Sequence, residues 1–320
     1  MKKIFVFILV VALAASMFVG CAKTAEPAPV EEPAPAEEPA EEVVEEEPAA
    51  MYEDGVYFAQ DEVGPRWTYF VTVTVEGGMI TDAYWGGTNY VPEGDKRIQS
   101  ENHEYGMVAF GDAQSYWYEQ AEAAEAWLLE NQDPAAFAEF YKDEEGHTDA
   151  LTTDGGAAVS VHVIEFFDLA AAALASAPVP SGAYMDAATV VTGTLEKDDH
   201  GWVYAGDFIV VNGTIVVANI NPVFANEYVE GSDDAANFAV DDEGNATPLS
   251  KKAIGDDYGM VAFGDAQAEW YEQAASMEAY ILANQALEVT LDDTGHTDAI
   301  SGVSVHVNEF VDIFNQAFGM

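Results

Sequence analysis

The ten residues YGMVAFGDAQ stand at Tyr105–Gln114 and return without a change at Tyr258–Gln267, 153 residues later. The parallel continues outward. WYEQA recurs at Trp117–Ala121 and Trp270–Ala274, GHTDA at Gly146–Ala150 and Gly295–Ala299, and VSVHV at Val159–Val163 and Val303–Val307. The offset has shrunk to 144 at the last block, because the first copy is longer between these blocks. A period near 150 residues means tandem domains, since solenoid repeats run at about 20–50.

Each copy opens with β-type sequence. Phe70 to Val75 alternates, Gly77-Gly78 makes a turn, and Met79 to Ala83 returns. In the second copy Asn212-Gly213 joins Phe208–Val211 to Thr214–Ala218, and an Asn-Gly pair between β-branched runs is a strong hairpin signal. A helical stretch follows, read as Ala266 to Asn284 in the second copy from its Ala, Glu, Gln, Met and Leu content without internal Gly or Pro. Both copies close on an amphipathic helix, marked by Val163, Phe167, Ala170 and Leu174 and by Val307, Phe310, Val311, Phe314, Ala317 and Phe318. The expected fold class is α+β, two tandem copies of a small domain with an antiparallel hairpin or sheet plus helices. Their bounds are 51–178 and 181–320, with the joint at Pro178-Val179-Pro180, and each copy is expected to fold alone.

The N-terminus reads as an export signal over 1–20, with Lys2 and Lys3 before the apolar run Ile4 to Val19, too short for a comfortable membrane span. Gly20 directly before Cys21, the single cysteine, resembles the lipobox of bacterial lipoproteins, although Phe18 replaces the usual Leu. That resemblance implies lipidation of Cys21 and a chain anchored to a membrane, facing the periplasm or the cell exterior. An ordinary secretory signal with an incidental cysteine is the alternative. Residues 21–50, nearly all Pro, Ala, Val and Glu after the cysteine, cannot bury enough apolar surface to order themselves and read as a disordered tether. Its reach is at most about 80 Å.

Beyond the tether, seven basic residues face 48 acidic ones, a net charge of −41. Such a field repels phosphate backbones and anionic lipid heads, which argues against nucleic acid as a partner. With Cys21 lipidated no thiol remains, and this excludes disulfides, thiolate zinc sites, iron–sulfur clusters and C-x-x-C-H haem attachment.

The segment Asp298-Ala299-Ile300-Ser301-Gly302-Val303-Ser304 resembles the D-x-x-S-G-A-T attachment motif of the FMN-binding domain family. That family includes flavin subunits of the sodium-pumping NADH:quinone reductase and Rnf complexes, and tethered flavinylated electron-transfer lipoproteins. Asp54-Gly55-Val56-Tyr57, the hairpins and the Tyr-Gly-Met block add to the likeness; Val303 in place of Ala and Ser304 in place of Thr depart from it. The resemblance implies a covalent FMN phosphoester on Ser304, formed by a flavin transferase, with Asp298 helping to place metal and substrate during attachment. A helix N-terminus offers amide donors and partial positive charge to a phosphate, and backbone amides are the favoured ligands in so lysine-poor a domain. In the first copy the six-residue spacing selects Asp154 and Ser160, with Ala157-Ala158 where the second copy has Ser301-Gly302; this poorer match leaves two readings of the first copy, flavinylated at Ser160 or an unflavinylated scaffold.

Each of these residues also has a plainer role. Ser160 and Ser304 could cap the closing helices. His162 and His306, two residues further on, could touch phosphate or flavin or complete a local hydrogen bond. His147 and His296 with Asp149 and Asp298 give too few ligands for a metal site, so turn structure is expected there. Trp117-Tyr118 and Trp270-Tyr271 could stack on a flavin or pack the core. The function expected is that of a tethered extracytoplasmic electron carrier, served by a membrane redox donor and an extracytoplasmic acceptor. The alternative is a surface-binding or structural lipoprotein that keeps the fold without flavin. No nucleophile–base pair or paired-acid motif points to an enzyme.

Overall fold

The computed structural model describes residues 51–64, 67–264 and 266–320. The segments read as an export signal over 1–20 and as a tether over 21–50, with the expected lipidation at Cys21, lie outside them. Within them the fold is α+β. In the first half, β1 (Gly55–Gln60), β2 (Thr68–Glu76) and β3 (Met79–Thr88) form an antiparallel sheet in that order. Helices α1 (Lys96–Glu101), α2 (Met107–Phe110), α3 (Trp117–Asn131) and α4 (Ile164–Leu174) follow. The second half carries β4 (Val190–Thr194), β5 (Trp202–Val203), β6 (Ala205–Val211), β7 (Thr214–Ile220), β8 (Val223–Phe224), β9 (Phe238–Val240) and β10 (Ala246–Pro248). Its sheet has the order β4-β6-β7, and β5 pairs with β8 and β9 with β10 in two small antiparallel ribbons. Helices α5 (Lys251–Ile254), α6 (Met260–Gly264), α7 (Trp270–Asn284) and α8 (Asn308–Phe318) complete the chain. Among the described residues no helix is long and apolar enough to cross a membrane.

Turn chemistry sets the strand pairing. Gly77 and Gly78 hold φ of 61° and 77°, and Asn212 and Gly213 hold 49° and 73°. Positive φ at both central positions is the type I′ geometry whose twist matches the flanking strands. Alternation then divides each sheet into two faces. Val71, Val73 and Val75 of β2 join Trp85 beneath α3 and α4, and Phe208, Val210 and Ile220 lie beneath α7 and α8. Helix α3 buries Trp117, Ala121, Ala124 and Leu128, one stripe at helical spacing, and α7 buries Trp270, Ala274, Met277 and Ile281.

The other faces of the two sheets meet each other. Phe70 of β2 packs with Ile209 and Val211 of β6, flanked by Val56, Phe58, Val190 and Val217. Phe70 lies across Gly86, its β3 partner, where any Cβ would overlap the ring. Polar contacts also join the halves. The amides of Glu93 and Gly94 donate to the Asp207 carboxylate, and Asn219 and Asn221 donate to the carbonyls of Asn89 and Tyr90. The resulting order of layers is helices, sheet, sheet, helices.

Two sequence expectations change. The helix read from Ala266 begins at Trp270, because Glu269 adopts the extended N-cap conformation and its amide donates to Glu272 Oε2 at 2.8 Å. The closing helices begin at Ile164 and Asn308, with Val163 and Val307 at the N-cap, so neither Ser160 nor Ser304 caps them.

Candidate functional site

A buried glutamine positions each candidate serine. Gln273, fully buried in α7, accepts at Oε1 from the Ser304 amide (2.6 Å), the Val305 amide (3.1 Å) and the Ser304 hydroxyl (3.3 Å), while its Nε2 donates to Ala268 O. Gln120 does the same in the first half for Ser160 and Val161, at 2.6, 3.0 and 3.3 Å, and donates to Ser115 O. Both serines are exposed. The two amides nearest each hydroxyl are therefore held by glutamine, and the closing helices, whose N-terminal amides are the expected phosphate donors, begin four residues beyond each serine.

Positive charge comes instead from a lysine that sequence reasoning passed over. Ser304, Lys251, Tyr204, Tyr258, Trp270 and His306 line one open cleft of about 270 Å3. Ser160, Lys96, Tyr69, Tyr105, Trp117 and His162 line its counterpart of about 230 Å3. Each lysine is the first residue of a short helix, placed by the N-caps Asp95 and Ser250. Lys251 Nζ donates to Tyr204 OH at 2.6 Å and lies 4.7–5.2 Å from the ring centroids of Trp202, Tyr204, Tyr258 and Trp270. Lys96 Nζ donates to Tyr69 OH at 2.7 Å and lies 4.6–5.4 Å from Trp67, Tyr69, Tyr105 and Trp117. Neither ammonium forms an ion pair among the described residues; ring faces take the place of a carboxylate. Burial pulls Lys96 down to about 7, opposed by Glu165, and Lys251 down to about 8, opposed by Asp198 and Glu309.

The basic residue that follows each lysine has a different task. Arg97 pairs with buried Glu125 at 2.5 Å, and Lys252 with Glu278 at 2.6 Å. Those carboxylates also accept from the amides of Trp85 and Ile220, which ties the short helix to the sheet beside the cleft. Four of the seven basic residues beyond residue 50 thus fall in the two dipeptides Lys96-Arg97 and Lys251-Lys252. That pairing is the sequence signal for the two lysines, and the differing residues around each dipeptide obscure it.

The remaining candidates divide. His306 shares the Ser304 cleft, and His296 lines both that cleft and a neighbouring one of about 410 Å3, whose walls include Asp292 and Asp298. Ser301 and Gly302 form the exposed turn between them, with Gly302 at φ 83°. In the first half the extra residues form a small hairpin, closed by a Thr152–Ala158 bridge and by the Val159 amide donating to Leu151 O. Asp154 stands at its exposed tip, outside the residues lining the Ser160 cleft, and Asp149 carries Lys142 Nζ at 2.9 Å. Looping out the extra length returns Ser160 to the same bonds that Ser304 makes. Trp117 and Trp270 are buried in the core with one side toward the clefts, and Tyr118 and Tyr271 lie outside the lining of either serine cleft.

No protein-family model matches the chain, and no curated protein matches it. Among solved structures it is similar to a Clostridium thermocellum protein determined by solution NMR as a Northeast Structural Genomics Consortium target. The two are 38% identical over 40% of this chain and 95% of that one, with a TM-score of 0.29. Its description states no function.

Proposed function

We propose that the chain is a membrane-tethered, extracytoplasmic electron carrier with FMN held as a phosphoester on Ser304 Oγ, and on Ser160 Oγ in the first half. The observation that carries this reading is the meeting of an exposed serine hydroxyl, an ammonium that forms no ion pair among the described residues and several aromatic rings in one cleft. A phosphoester needs a reachable hydroxyl. The phosphate needs a cation close by, in a chain that is otherwise strongly acidic. Ser304 supplies the first and Lys251 the second, while Tyr204, Tyr258 and Trp270 supply an apolar wall. Gln273 keeps the serine loop in place, so the hydroxyl is presented by a fixed backbone. FMN, when bound, would supply the redox chemistry, and the chain would supply attachment, position and field. The Cys21 anchor, a flavin transferase for maturation, a membrane donor and an extracytoplasmic acceptor belong to this proposal.

One observation favours the flavin-free alternative, a surface-binding lipoprotein. The faces of the rings are already engaged by the chain's own lysines. Under that reading the clefts receive an anionic ligand at the lysine rather than a stacked ring.

Intact mass after production together with a flavin transferase decides between them, with a known flavinylated domain as positive control. The expected result is one FMN-phosphoryl addition lost in Ser304→Ala and kept in Ser304→Thr, with a second addition lost in Ser160→Ala. Ser304→Ala leaves Gln273 both amide donors, so unfolding should move by less than about 1 kcal/mol. If the control is modified and this chain carries no flavin, covalent or bound, the carrier reading falls.

A further inference from the structure

The fold gathers three metal-capable side chains at the rim of the first-half cleft. Glu145, His147 and His162 each place a ligating atom within 4.8 Å of the others. Glu145 Oε2 stands 3.9 Å from His147 Nδ1 and 3.9 Å from His162 Nε2, and the two imidazoles meet edge to face at 4.3 Å between centroids. The histidines belong to separate segments, brought together where the Val163 amide donates to Gly146 O at 3.0 Å. Sequence spacing could not show this meeting, because the 152–158 hairpin intervenes.

Two further carboxylates complete the surroundings. Asp143 holds the turn with Oδ1, accepting from the amides of Glu145 and His147, and its Oδ2 lies 2.8 Å from His147 Nδ1. Glu165 Oε1 lies 3.9 Å from His162 Nδ1, on the ring's other nitrogen, and its Oε2 is buried without a hydrogen-bond partner among the described residues. On His162 the Glu165 carboxylate lies on the Nδ1 side, which leaves Nε2, the nitrogen 3.9 Å from Glu145, toward the shared centre.

The second half lacks the same donor set. His296 and His306 meet at 4.6 Å, but Thr294 occupies the place of Glu145, and its hydroxyl lies 2.9 Å from His296 Nδ1.

We infer that Glu145, His147 and His162 bind a divalent transition ion of the Zn2+ type, in the first half alone. Two imidazoles and a carboxylate suit zinc, nickel or copper, whereas magnesium and calcium take oxygen donors. Metal–ligand bonds of about 2.0–2.2 Å require the three atoms to close in, which rotation of these partly exposed side chains supplies. Asp143 Oδ2 is placed to become the fourth ligand. The inference does not depend on flavin, and the site is tested on protein produced without a transferase.

The test is calorimetric titration of the full chain with Zn2+ in a large excess of Mg2+, which occupies the general acidic surface. Every sample carries Cys21→Ser, so that no thiol competes. One Zn2+ per chain is expected, with affinity lowered about tenfold or more in His162→Ala and in Glu145→Gln. Thr294→Glu, which gives the second half its missing carboxylate, is expected to add a second Zn2+. NMR of the histidine ring protons provides a readout independent of heat, and His147 and His162 should shift on addition of Zn2+ while His200 does not. No binding above the Mg2+ background, or binding indifferent to both His162→Ala and Glu145→Gln, would overturn the inference.

Discussion

The two halves solve one problem with different amounts of chain. From the end of β3 at Thr88 to the start of α1 at Lys96 the first half uses the short segment 89–95. The second half spends 221–250 on the same passage and builds β8, β9 and β10 within it, around Trp202, Phe224 and Phe238. The excess is reversed before the closing helix, where the first half inserts the 152–158 hairpin and the second makes a single turn at Ser301-Gly302. Despite both changes, the lysine above the rings, the cation–glutamate pair and the glutamine under the serine keep their bonds to within a few tenths of an ångström. Length varies where the backbone is exposed. It does not vary where a buried polar group must find its partner, because an unpaired buried donor or acceptor costs about 1–3 kcal/mol.

The largest expected effect comes from breaking what the halves share. Phe70→Ala empties a fully buried site between the sheets and should lower the unfolding free energy by about 4 kcal/mol in urea titration. Both halves should respond in one transition, since Ile209 and Val211 lose the same neighbour. Two separated transitions would show that the shared cluster does not couple them.

A smaller effect should sharpen the contrast. Gln120→Ala and Gln273→Ala each strip two amides and a hydroxyl of their acceptor, at a cost of about 2 kcal/mol. The first-half loop is also held by its hairpin, with the Val159 amide 3.2 Å from Leu151 O, whereas Val303 to Ile300 spans 3.4 Å. Hydrogen exchange at Ser304 and Val305 should therefore accelerate more in Gln273→Ala than exchange at Ser160 and Val161 does in Gln120→Ala. Equal acceleration would remove any role for the hairpin in bracing the serine.

The smallest effect is a slope in pH. Burial pushes the Asp207 carboxyl up to about 6, opposed by Thr192 and the amides of Gly94 and Glu93 and reinforced by Asp95, from an ordinary value of 3.8. Between those values the folded chain holds a proton that the unfolded chain has released, so this group's contribution to stability falls as pH rises from about 4 to about 6. Asp207→Asn should flatten that fall, seen as the difference between wild-type and variant unfolding curves across the range. A parallel pair of curves would place the protonation elsewhere.

The hairpins were legible because Gly77-Gly78 and Asn212-Gly213 state their turn type directly, and the closing helices because apolar spacing does the same. Within those helices the pattern missed Phe166 and Ile313, both wholly buried. Each helix lies flat on its sheet, and Ile313 presses against Gly193 of β4, so the buried arc is wider than one stripe. The serines were found through a motif. Lys96 and Lys251 were not, since each cage is assembled from strand, short helix and long helix, and no local spacing records that. Gln120 and Gln273 carry no local mark of their role, which depends on the loop that returns above them. Glu145 gained its meaning only when His162 came back beside His147.

The sheet-to-sheet packing has a consequence for company. Each cleft belongs to a helical layer, and both sheets, roughly 10 Å apart in such packings, stand between the two layers. A flat partner can cover one cleft and leave its twin free. If each cleft carries a flavin as proposed, two redox partners have room to dock at once, and a titration should fill the clefts as independent places, with a stoichiometry of two and no sigmoid.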